Sequence, residues 1–352
     1  MPTAAKHQTW DQAGSARELD RLMAEGRQFS AEYPQFLANH LPMVLVALQR
    51  LGAGDDRLRE FFATYRDTNH LVPMPKAVAP IESARWTSAL GERSRERDYR
   101  EFFTREVDRL GIRSAIATYI PTLTPAISAS ALHGFMRLAY GVLREDGPEV
   151  GAALGYWSAT CLTLAPATGA EPVTDDPGEV LLRLKPIEEF RDVETELDLL
   201  WHFMRAMSTK PAFRPVVDWL VIGPDSLTRV AQASLALYAG SMDFCALHAL
   251  TGSHWLRILW PFLPDPDLML RYFWQAIAAL YPKIGFPDVP AAETLEAWRR
   301  TRSPDWPEIT AAAAKSDDEH DLSLAFSALE EWKFYRDPLY RYVAARRLRL
   351  IA

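Results

Sequence analysis

Five histidines sit in apolar sequence, where an imidazole needs a reason. They are His40 in FLANHLPMVLVAL, His133 in ASALHGFMRLAYG, His248 and His254 in DFCALHALTGSHWLRILW, and His320 in SDDEHDLSLAFSAL. Imidazole nitrogen suits zinc, copper, iron and nickel. Helical proteins build metal sites from side chains that separate helices project inward. Taken singly, each ring reads first as a core histidine bonded to a neighbour, since buried polar groups find partners. The chain has no HExxH, no ExxH pair and no cysteine-rich zinc spacing, so spacing alone selects no metal.

The positions of these rings depend on the helices that carry them. Leu37, Leu41, Val44, Leu48 and Leu51 fall on one face of a helix predicted over 34–51, and His40 lies within that stripe. Pro42 removes a backbone N–H, so the Ala38 carbonyl loses its helical partner and a kink is expected beside His40. A second helix is predicted over 126–145, with Ala129, Leu132, Met136 and Tyr140 as its apolar face and His133 beside it. Gly134 would admit a close neighbour. Arg137, one turn on, reads either as a structural ion pair or as a contact to an anionic substrate. His248 and His254 would diverge by about 120° on a continuous helix, so a break at Gly252 is expected to turn both rings toward one point. His320 falls in the first turn of a helix beside Asp317, Asp318 and Glu319, where carboxylates also compensate the helix dipole. His7 belongs to an N-terminal tail expected over 1–14, His70 to a helix end, and His202 to packing.

Helical periodicity runs through most of the chain and strand signals are nearly absent. The expected fold is all-α, a single large multi-helical domain over 15–352 with a buried central cavity. A cut near residue 170, in the Pro- and Gly-containing loop 163–179, is the alternative. Eleven Trp and 16 Phe are enough to fill a core or line an aromatic pocket. Trp201, Trp255, Trp260 and Tyr140 are candidate lining residues. A formal net charge of −7, with no basic block except the C-terminal RYVAARRLRL, read as the solvated face of a last helix, argues against nucleic acid. Cys161 and Cys245 read as buried reduced thiols of a cytoplasmic protein. SAIATYIPTLTPAISASAL carries no charge, but its hydroxyls and prolines argue for soluble helices broken near Pro121 and Pro125, and no membrane span is expected. RLGAGDDRL lacks a complete dinucleotide fingerprint, so no flavin or nicotinamide site is read.

The segments NHLPMVLVALQRLGAGDDRLREFFATY, LHGFMRLAYG, LHALTGSHWLRIL and SDDEH resemble, in content and order, the motifs of the questin oxidase-like family, across most of the chain. The resemblance implies a mostly α-helical protein. Characterised fungal members act in polyketide pathways, in oxidative C–C cleavage or Baeyer–Villiger-like ring opening of anthraquinone-type substrates. It implies a mononuclear non-haem Fe(II) site fed by histidines, with O2 as co-substrate and a small aromatic substrate as partner. His40, His133, His248, His254 and His320 are the positions that match family histidines. Four ligands suffice, and His254 ranks last.

Two departures from the family pattern stand out. Where the family has Asp-Glu-His-x-x-Lys, with a lysine that when carboxylated serves as an anionic ligand, this chain has Ser323. Serine is a poor ligand when neutral, so Glu319 is a candidate replacement. Arg137 stands where fungal members have another histidine, and is the candidate catalytic contact for a phenolate or carboxylate. The rival readings are a divergent or non-catalytic small-molecule-binding member, motivated by Ser323, and a metal-dependent hydrolase. The sequence gives no oligomeric state.

Overall fold

A computed structural model describes residues 16–352. The expected tail at 1–14, with His7, lies outside the described residues. The helices are α1 (16–26), α2 (Leu41–Arg50), α3 (Asp55–Thr68), α4 (Glu96–Leu110), α5 (Ile112–Leu123), α6 (His133–Leu143), α7 (Gly147–Ala159) and α8 (Pro177–Leu182), followed by α9 (Leu200–Ser208), α10 (Ser226–Ser241), α11 (Phe244–Leu259), α12 (Pro266–Leu280), α13 (Ala292–Arg300), α14 (Trp306–Ala313), α15 (Glu319–Tyr335) and α16 (Leu339–Arg347). Among the described residues the one sheet is a strand pair, Glu32–Tyr33 with Leu37–Ala38, antiparallel with Glu32 opposite Ala38. The fold is all-α. Among the same residues no helix is long and apolar enough to cross a membrane.

The described chain divides into two compact units. One joins the described residues up to Pro75 to Arg302–Ala352, and the other is Lys76–Thr301. Neither boundary falls in the loop 163–179.

In the first unit, α2 packs on α15 and α3. Leu58, Phe61, Phe62 and Tyr65 form the buried face of α3, the spacing of a one-sided helix. Arg57, on the same helix, fixes the chain that leads into α15. Its guanidinium donates to the Ala314 carbonyl at 2.8 Å, the Ser316 carbonyl at 2.7 Å and Asp317 Oδ1 at 2.8 Å.

The helix predicted over 34–51 is shorter than expected. Gln35 and Phe36 take φ of 70° and 62°, which no α-helix continues through, and α2 starts at Leu41. Pro42 therefore sits in the first turn and makes no kink. There its missing N–H is one that would lack a helical partner anyway. The Asn39 side chain accepts the Leu41 N–H at 3.1 Å and donates to the Ser30 carbonyl at 2.9 Å, which explains an Asn in so apolar a run.

The second unit centres on α4, α6, α7, α11 and α12. Helices α4 and α7 lie nearly backbone to backbone. A Cβ on Gly155 would stand 2.7 Å from the Arg100 nitrogen, and one on Gly151 would stand 2.7 Å from Thr104 Cα. The break expected at Gly252 is absent, because α11 is continuous. That glycine instead admits the Phe273 ring of α12, whose Cε2 would lie 2.6 Å from an added Cβ. Helix α5 also runs through Pro121, ending at Leu123. The α4–α7 contact gives a direct test. Gly155→Ala should destabilise the protein by about 1–3 kcal/mol through overpacking, read as a lower urea midpoint. An unchanged midpoint would show that the two backbones are not in this contact.

Candidate metal centre

His40 is the residue that precedes α2. Its backbone N–H donates to the Tyr65 hydroxyl at 3.0 Å, and its ring Nδ1 donates to the Ala38 carbonyl at 2.9 Å. The sequence had left that carbonyl without a helical partner, and the ring supplies the missing donor. A carbonyl can only accept, so the ring proton is on Nδ1 and the lone pair is on Nε2.

His320 lies in the first turn of α15, which Asp318 caps by accepting the His320 N–H at 2.8 Å. The His320 Nδ1 sits 3.2 Å from the same oxygen. These bonds from His320, the ring's first, hold the Asp318 carboxyl down to about 2 against its burial. Arg347 donates to Asp318 Oδ2 at 2.8 Å and to Asp321 Oδ1 at 2.5 Å. Asp318 is thus occupied as a cap and a ring acceptor. Its neighbour Glu319 stands 4.0 Å from the Nδ1 of both His40 and His320, and the two rings meet edge-on with centroids 5.2 Å apart. Donor atoms of Asp318, Glu319 and His320 lie within 4.8 Å of one another.

The second unit brings together His133 and His248, with centroids 5.8 Å apart and planes at 78°. His133 is the first residue of α6 and its Nδ1 donates to the Ser130 carbonyl. His248 Nδ1 donates to the Phe244 carbonyl at 3.0 Å, one turn back on α11. Both rings carry the proton on Nδ1 by the same reasoning. In His40, His133, His248 and His320 alike, Nδ1 is held by a carbonyl or carboxylate, which in a neutral ring puts the lone pair on Nε2. Metal-binding histidines have this arrangement. Two imidazoles on one ion place their centroids about 4.5–5.5 Å apart from the bond lengths involved. The His40–His320 spacing falls inside that range and the His133–His248 spacing just outside it. The residues present fit a metal of borderline softness such as iron or zinc.

His254 differs. Six positions from His248 on a continuous helix, it points about 120° away. Burial, aided by the Arg257 cation, drives its pKa well below the usual histidine range, so it is a neutral core ring. Ser323 is buried on α15, one turn after His320. Trp255 and Tyr140 are fully buried, and Trp260 lies in a 3-10 turn. Trp201 stacks beneath the Arg93 guanidinium, 4.3 Å from the ring centroid, and contacts His202 at 3.9 Å.

A family model described as Questin oxidase-like matches residues 37–325, a span that takes in His40, His320 and everything between. The chain belongs to the Questin oxidase-like family. Membership implies an oxidoreductase, of the oxygenase kind associated with polyketide pathways. No curated protein matches the chain.

Several residues around the centre of this Questin oxidase-like protein escape sequence reasoning. Tyr65 occupies an ordinary core position of α3, yet its hydroxyl receives the His40 N–H. Burial first, then the Glu319 charge, raises its pKa well above the phenol range, and the same two causes push neighbouring Tyr33 up to about 12. Both phenols stay protonated.

Arg137 is enclosed. Its Nε donates to Glu149 Oε1 of α7 at 2.5 Å, and both side chains are at most 3% exposed. Burial opposes the Arg137 charge, but Glu149 more than offsets it and the pKa is raised. The Glu96–Arg100 pair of α4 adjoins it, where burial and the Arg137 charge bring Arg100 down to about 10. This geometry favours the ion-pair reading of Arg137. Arg137→Met should cost about 3–5 kcal/mol by stranding a buried carboxylate, and adding Glu149→Leu should recover most of it. Urea unfolding of the single and double variants measures both. A loss below about 1 kcal/mol in the single variant would release Arg137 for another role.

Proposed function

We propose that the chain is a non-haem iron-dependent oxygenase acting on an aromatic polyketide or quinone-type substrate, by oxidative C–C cleavage or Baeyer–Villiger-like ring opening. The proposed metal-binding imidazoles are the pair His40 and His320 of the first unit and the pair His133 and His248 of the second. One observation carries this reading. Four rings separated in sequence each have Nδ1 tied to a local acceptor, three to carbonyls and one to Asp318. That common anchor leaves Nε2 as the coordinating nitrogen of each ring when neutral.

The bound iron would supply Lewis acidity and a meeting point for O2 and substrate. The protein's part is to orient and to control protons. The Ala38, Ser130 and Phe244 carbonyls set three ring angles. Glu319, at 4.0 Å from two rings, supplies the negative charge that Ser323 does not. Tyr33 and Tyr65, held protonated, are hydrogen-bond donors and cannot add a second anion. Arg137 stiffens α6 behind His133 through Glu149.

A second reading is a non-catalytic small-molecule-binding member, favoured by the buried Ser323. Anaerobic Fe(II) reconstitution with metal analysis separates the two. The wild type should retain iron and consume O2 with a hydroxyanthraquinone-type substrate. His40→Ala and His133→Ala should each weaken iron binding by about tenfold or more with helicity intact. Full iron retention in both variants would remove these residues from the ligand set. Turnover with zinc in the absence of O2 would make the protein a hydrolase.

A further inference from the structure

The chain just before His133 is unusual. Ser130, Ala131 and Leu132 take φ of 44°, 54° and 74° in succession. Left-handed backbone costs free energy at any residue with a Cβ, and glycine or asparagine ordinarily supplies it. Here neither occurs, and the three residues are 2%, 3% and 0% exposed. A run of this kind persists only where surrounding contacts hold it.

The turn delivers one oxygen to one residue. The Ser130 carbonyl accepts the His133 ring N–H and, at 3.3 Å, the His133 backbone N–H. Ser130 is held in turn from α7, where the Tyr156 hydroxyl donates to Ser130 Oγ at 2.6 Å. Tyr156 is 1% exposed, so this bond forms away from water. The next residue anchors the other side of the segment. Trp157 Nε1 donates to the Ala126 carbonyl at 2.7 Å, and its Cβ would lie 2.8 Å from a Cβ on Gly134. Tyr156 and Trp157 thus hold the segment before and after the turn, and Gly134 lets α6 close down on them.

We propose that Tyr156 and Ser130 are positioning residues for His133. The Tyr156–Ser130 bond locks the left-handed turn, and the locked turn aims the Ser130 carbonyl at the ring, fixing both its angle and its proton. Without that bond the turn relaxes toward ordinary backbone and the carbonyl leaves Nδ1. This inference rests on the reading of His133 as a metal-binding imidazole. Neither Tyr156 nor Ser130 need touch the metal or the substrate.

The test uses Co(II) as a spectroscopic probe, titrated anaerobically into the full chain while the visible ligand-field bands are followed. Urea unfolding of the metal-free protein runs in parallel. Tyr156→Phe and Ser130→Ala should each weaken Co(II) binding by about tenfold, the usual scale for an outer partner of a ligand, and shift the bands. The double variant should be no worse than either single one, because both remove the same bond. Tyr156→Phe is the variant that is safe for folding, since it removes one hydroxyl and keeps the buried ring. If it binds Co(II) with wild-type affinity and spectrum, the proposal fails. Lost stability with an unchanged Co(II) spectrum likewise fails it, leaving Tyr156 a packing residue. A wild type that binds no Co(II) overturns the metal reading of His133 itself, and this inference with it.

Discussion

An imidazole has two nitrogens and, when neutral, one proton, and the candidate centre depends on where that proton is kept. His40, His133 and His248 keep it on Nδ1 because the nearest acceptor is a backbone carbonyl, which has nothing to donate. His320 turns the same nitrogen to the Asp318 carboxylate, 3.2 Å away. Every acceptor lies within one helical turn of its ring. The tautomer is therefore written into local backbone, and distant packing need only hold that backbone still.

For three of the four rings the acceptor lies just ahead of a helix, while His248 bonds the Phe244 carbonyl of its own α11. A carbonyl inside a helix already receives an N–H, whereas one just before a helix is available to a side chain. His40, His133 and His320 stand at or within the first turn of α2, α6 and α15. Pro42 belongs to this arrangement, since it stops α2 from extending backwards and consuming the Ala38 carbonyl. At α6 the same end is reached by three left-handed residues. The packing behind α6 is correspondingly unforgiving, with α4 and α7 in backbone contact and the Arg137–Glu149 pair sealed between α6 and α7.

Much of this was legible in the sequence and some was not. The all-α class follows directly from the apolar period. The histidines stand out because they interrupt apolar runs. Their exact settings were hidden because apolar periodicity continues across a helix start. Pro42 reads as a kink or as a first-turn residue from the same letters, and only the left-handed Gln35 and Phe36 decide between them. Gly252 reads as a break, but it answers to the Phe273 ring, a residue of another helix. The turn at Ser130 carries no glycine or asparagine to announce it. Tyr65 and Tyr156 look like core aromatics, because a hydroxyl's partner lies across space and leaves no trace in the local pattern.

Membership of the Questin oxidase-like family gives the chemistry its class. The shared ring state is the claim on which the functional reading stands. The most direct measurement is a long-range 15N–1H NMR correlation on metal-free protein labelled at histidine, which reports the protonated nitrogen of each ring. His40, His133 and His248 should all appear as neutral Nδ1–H tautomers. Nε2–H tautomers at these three positions would contradict the arrangement and, with it, the metal centre.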